Sequence, residues 1–162
     1  MRKLTEQCRC FVVVRVRGNV GTSKEIEEVF RQMHLTRKNH ATLLSASPSN
    51  DGTLRKVKDY ATWGRPSLEV LKVLVAKRGM LTGNKKLTDD YVKEHLGYES
   101  LDELSRALYE SRVELRNLKD VKPLFRLNPP RKGFPGSTKK PYSEGELGNR
   151  GEAIERLLKR MI

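Results

Sequence analysis

The chain predicts an α+β fold. A β-α-β-α core occupies residues 1–65, a helical extension 66–120, and a returning strand, a basic Pro/Gly arm and a C-terminal helix 121–162, all in one structural unit. Three observations carry this reading. Cys10 to Arg17 alternates with the two-residue period of a strand and is followed by a segment of helical period. Five of the seven prolines crowd between Val121 and Ser143, where no helix can run. Charge is segregated along the chain rather than spread.

The elements follow in order. In the first strand Cys10, Val12, Val14 and Val16 share one face, and Phe11, Val13, Arg15 and Arg17 the other. Gly18 permits a loop, and Thr22 with Glu25 has the form of a capping box. Ile26, Val29, Phe30 and Met33 then give a helix over about 23–34, with Glu25, Glu27 and Glu28 near its positive end. His40 to Ser47 reads as a second strand, and Asn50-Asp51-Gly52 as a turn or cap. Leu54, Val57 and Ala61 predict a second helix carrying Arg55, Lys56 and Lys58, so that both helices cover one sheet face.

Trp63-Gly64-Arg65-Pro66 reads as punctuation, and Pro66-Ser67 opens a helix that closes near Gly79. Asn84 to Lys86 is a polar loop. Thr88 caps a short helix ending at Gly97, and Ser100 with Glu103 caps another bearing Leu101, Leu104, Ala107 and Leu108. Pro123 to Leu127 returns as a short strand of the same sheet. Pro129 and Pro130 then end the pairing, and Arg131-Lys132-Gly133-Phe134-Pro135-Gly136 reads as a stiffened arm reaching toward a partner. On this reading residues 129–142 are separable from the core. Ala153, Ile154, Leu157, Leu158 and Met161 form the apolar stripe of a final helix.

The 162 residues carry a net charge of +13, which points to a polyanionic partner. Residues 1–65 hold a balance of +7, residues 66–120 a balance of zero, and residues 121–162 a balance of +6. Between Val121 and Ser143 there are six basic residues and no acidic ones. No apolar run approaches the roughly 20 residues of a membrane-spanning helix, and the charged N-terminus lacks a signal-peptide centre. Two cysteines, Cys8 and Cys10, fit a reducing, cytoplasmic setting, with Cys10 in the core and Cys8 incidental.

Catalytic chemistry finds no support. His34, His40 and His95 fall on separate elements without metal-ligand spacing. Gly18-Asn19-Val20-Gly21 lacks the order of a phosphate-binding loop, and Asp89-Asp90 reads as dipole partners of a helix start. No enzyme, metal site or cofactor is expected. Nucleic-acid binding is expected, with phosphate contacts from Arg15, Arg17, Arg55, Lys56, Lys58, Arg65, Arg126, Arg131, Lys132, Lys139, Lys140 and Arg150. Phe134 and Tyr142 either stack on unpaired bases or pack back onto the protein. A ribosomal scaffold and a non-ribosomal basic protein, architectural or RNA-processing, both fit these features.

Five landmarks in order narrow this: FVVVRVRG at 11–18, NHATLL at 39–44, Leu54 to Pro66 ending in WGRP, FRLNPPRKG at 125–133, and LGNRGEAIERLLKRM at 147–161. Over essentially its whole length the chain resembles the large-subunit ribosomal protein family L-thirty in its archaeal form, whose eukaryotic counterpart is called L-seven. The resemblance implies a β-α-β-α-β core related to ferredoxin-like folds. It also implies a structural role in binding 23S-type ribosomal RNA near 5S RNA during assembly and translation, with neighbouring ribosomal proteins, no small-molecule substrate and no membrane. The long basic N-terminal extension of eukaryotic relatives is absent, which fits an archaeal source. Where the family pattern expects Pro-Pro-Arg-Gly-Gly, this chain has Lys132 before Gly133.

Overall fold

A computed structural model describes residues 9–162; Cys8 lies outside them. Six strands form one sheet in the order β4-β2-β1-β3-β6-β5. β1 (Cys10–Arg15) sits inside it, antiparallel to β2 (His40–Ser45) and to β3 (Ala61–Gly64). All six residues of β1 are buried, because helices cover both sheet faces. Phe11 and Val13 join Phe30, Met33, Leu35, Leu54, Val57 and Trp63 in one cluster, under α1 (Lys24–Gln32) and α2 (Pro48–Lys56). Cys10, Val12 and Val14 join the larger cluster on the other face, under α3 (Leu68–Arg78), α5 (Leu101–Tyr109) and α6 (Ile154–Met161). The α+β core and its helical extension are therefore as the sequence indicates. The first two helices share a face, and the extension closes the second.

Local chemistry sets several boundaries away from their expected places. Ser23, not Thr22, caps α1: its Oγ accepts from the Ile26 N–H, while the Thr22 hydroxyl donates to the Gly18 carbonyl. Asn50-Asp51-Gly52 is helical, because Ser47 caps α2 one residue before Pro48, the favoured order for a helix start. Ala61 lies beyond that helix. It opens β3, in which Trp63 and Gly64 are paired to β1 instead of punctuating the chain. Ser67, Thr88 and Ser100 cap α3, α4 (Asp89–Tyr91) and α5 as expected, and Gly97 closes the π-turn after α4 with φ +75°.

β4 is only two residues, Phe125–Arg126, paired to β2 at the sheet edge. Phe125, fully buried in the larger cluster, anchors it. A side chain of that size contributes about 1.5–3 kcal/mol by leaving water. Beyond it, residues 129–142 do not hang free. Pro130 is buried, Phe134 packs on the core, and the Gly136 N–H donates to Glu146 Oε1. Ser137–Pro141 forms β5, which pairs with irregular register to β6 (Gly145–Asn149). β6 in turn runs parallel to β3. The arm is thus a strap laid along the sheet edge.

The strap begins with a turn in which the Gly133 N–H donates to the Pro130 carbonyl. Lys132 takes the third place of that turn with φ +63°, a left-handed conformation that suits glycine. Arg160 of α6 donates to the Arg131 and Gly133 carbonyls and holds the turn in place. Lys132→Gly is therefore expected to raise stability by about 0.5–1 kcal/mol, read as a higher urea midpoint. An unchanged or lower midpoint would show that the lysine side chain compensates the backbone cost.

Candidate nucleic-acid interface

Two of the expected RNA-facing cations are internal. Arg15 shares the face of Phe11 and Val13 and is 1% exposed. Its Nη1 donates to the Leu35 carbonyl at 2.7 Å, its Nε to the Arg17 carbonyl at 2.9 Å, and its guanidinium lies 4.1 Å from the Phe30 ring centre. Burial lowers its pKa, with Glu27 opposing. Arg150 is 8% exposed: Nη2 meets Glu146 Oε2 at 2.7 Å, and Nε donates to the Thr62 hydroxyl at 2.8 Å. Both guanidiniums hold the fold together rather than offering charge to a partner. The alternation in β1 carried the signal for Arg15, since residues two and four before it are core.

Phe134 is half-buried and packs against the larger cluster. Several of the remaining expected residues reach the surface in separate places. Arg65 is exposed, with its guanidinium 5.4 Å from the Phe11 ring centre. Arg131 and Lys132 are exposed on the turn held by Arg160. Lys139 and Lys140 project from β5, and Lys140 lies 3.8 Å from Glu144, a pair that solvent screens to little energetic consequence. Lys56 is exposed near the end of α2.

At the opposite edge, Arg126 and Lys122 donate to the Asn84 side-chain oxygen at 3.3 and 2.5 Å. The approach of Lys122 and Arg126 to Asn84 is not legible in the sequence because it depends on the pairing of β4 to β2. Arg126 is also cross-strand to His40, and Arg15 lies near it. Burial, then Arg126, Arg37 and Arg15, push the His40 pKa below 6.5. The unfolded chain therefore binds a proton near that pH that the folded chain refuses. Stability is full above about pH 6.5 and falls as the pH drops into the lowered range. His40→Gln is expected to flatten that dependence, as measured by urea midpoints from pH 5 to 8.

The two basic ends of the chain meet at one place. Because β6 lies against β3, the strap comes alongside the end of α2. Arg55 and Lys58 from the first end, and Pro141, Tyr142 and Asn149 from the second, line a shallow cleft of about 340 Å³ together with Asp59, Trp63, Leu147 and Gly148. Arg17 stands beside it, donating to the Asp59 carbonyl at 3.2 Å with its guanidinium 5.0 Å from the Tyr60 ring centre. Tyr142 remains 44% exposed, and the Arg150 guanidinium sits 5.2 Å from its ring centre. Asn149 is not legible as a cleft residue because GELGN shows no strand alternation, and Asp59 because its place beside Asn149 depends on the pairing of β6 to β3. No group of His, Cys, Asp and Glu among the described residues is arranged to hold a metal ion.

The chain is similar to known proteins. The family described as Ribosomal protein L30p/L7e matches residues 11–61, from β1 to the start of β3. The chain is 46% identical over 153 residues to a protein of Methanosphaera stadtmanae named large ribosomal subunit protein uL30, covering 94% of this chain and 99% of that one. It is 45% identical to the protein of the same name from Archaeoglobus fulgidus, over 93% of this chain and 99% of the relative. The Hyperthermus butylicus protein of that name is 41% identical over 97% of this chain.

Proposed function

Since the chain belongs to the uL30 family of archaeal-type large-subunit ribosomal proteins, and is thus a structural constituent of the cytoplasmic ribosome and not an enzyme, we propose that it binds and stabilises 23S-type ribosomal RNA, in the neighbourhood of 5S RNA, during assembly and translation. The observation that carries this is the cleft where the first basic end, with Arg55 and Lys58, meets Pro141, Tyr142 and Asn149 of the C-terminal segment. Arg17, Arg55, Lys56, Lys58 and Arg65 supply charge from the first end, and Arg131, Lys132, Lys139 and Lys140 from the second. Arg126 extends the set along the far sheet edge. Such contacts fall mainly on phosphate and sugar, which fix a protein on a folded RNA. The charge-balanced residues 66–120 face solvent or neighbouring proteins.

Binding of the chain to purified large-subunit ribosomal RNA, titrated with salt, tests this reading. If about six to ten phosphates are engaged, affinity falls by on the order of 10³ or more between 50 and 200 mM salt. A flat salt dependence would remove the electrostatic basis of the proposal.

A further inference from the structure

The α2–strap cleft differs from the rest of the basic surface because it combines charge with an aromatic ring and free polar groups. Tyr142 is one of only three large apolar or aromatic side chains that stay exposed among the described residues. One face of its ring lies against the Arg150 guanidinium, which is fixed by Glu146 and Thr62. The ring therefore has a fixed cation beside it and remains 44% exposed. Arg55 and Lys58 line the same cleft. Asn149 accepts from the Gly151 N–H through Oδ1 at 2.9 Å, which leaves its amide protons for another acceptor. Asp59 contributes an exposed carboxylate.

The volume of about 340 Å³ lies at the small end of ligand clefts, which span about 300–1,000 Å³. It admits one base and not a duplex. We propose that this cleft takes a single unpaired nucleotide of the RNA: the base stacks on Tyr142, its flanking phosphates meet Arg55 and Lys58, and its edge or 2′-hydroxyl meets Asn149 and Asp59. This rests on the RNA-binding reading above and adds a base-stacking subsite to it. Stacking of this kind tolerates any base, because every base has a π-face.

Trp63 is the only tryptophan of the chain and lines the same cleft, so its fluorescence reports occupancy directly. The experiment titrates the full chain with large-subunit ribosomal RNA and, separately, with a short unstructured oligoribonucleotide. It compares wild type, Tyr142→Phe and Tyr142→Ala. Wild type and Tyr142→Phe are expected to bind within about twofold of each other and to show Trp63 quenching. Tyr142→Ala is expected to lose about 5- to 150-fold in affinity and most of the quenching, with an unchanged melting temperature. Equal affinity and equal quenching in Tyr142→Ala would overturn the subsite while leaving phosphate-driven binding standing. Absence of salt-sensitive binding by wild type would overturn the RNA-binding reading and the subsite together.

Discussion

Glu146→Ala is expected to destabilise the fold by about 3–5 kcal/mol. Glu146 is 5% exposed, and both carboxylate oxygens are in use: Oε2 meets Arg150 at 2.7 Å, and Oε1 accepts from the Gly136 N–H at 2.9 Å. Truncation leaves the Arg150 guanidinium buried without its counter-charge and frees a backbone donor of the strap. Two features should move together. The urea midpoint should fall, and the strap should loosen, visible as faster amide exchange at Gly136. Glu146→Gln keeps the shape and one acceptor and should cost less. The double substitution Glu146→Leu with Arg150→Met removes both charges and should recover part of the loss, since apolar replacement of a buried pair is often close to neutral. A cost below about 1 kcal/mol for Glu146→Ala would mean that water reaches the pair and solvates Arg150.

This pair also marks where the sequence stops being readable. Elements whose signal is local were legible: the caps at Ser67, Thr88 and Ser100, the stripe of Ile154, Leu157, Leu158 and Met161, and the strand at Cys10. Elements that exist only through distant pairing were not. β3 has four residues ending in Gly64, too short to show a period. A Cβ on Gly64 would stand 2.0 Å from the Gly151 carbonyl oxygen, so that glycine serves the seating of the last helix on the sheet. β6 reads GELGN, and its burial comes from lying beside β3. Without β6 in place, the strap reads as a stiffened arm and Arg150 as a surface cation. Formal charge on a chain is visible in sequence, whereas the division of that charge between interior and surface depends on which strands are neighbours.

Reversing both cations of the cleft wall, Arg55→Glu with Lys58→Glu, is expected to lower affinity for large-subunit ribosomal RNA by on the order of 100-fold at 0.1 M salt. Each lost phosphate contact removes about 0.7–0.9 from the slope of log affinity against log salt. Two lost contacts therefore account for about 25- to 60-fold, and the introduced carboxylates add repulsion. The salt slope of the variant should be shallower by nearly two, so that wild type and variant converge as salt rises. Stability should change little, because both side chains are exposed. Placing an acid at the end of α2 costs about 0.3–1 kcal/mol against the helix dipole. The matching reversal of two exposed cations in the neutral extension, Lys85→Glu with Lys86→Glu, should leave the affinity within a few fold. Equal losses from the two double reversals would show that RNA senses only the net charge of the chain. A loss confined to the Arg55 and Lys58 variant places the contact on the surface where β3, β6 and α2 bring the two basic ends together.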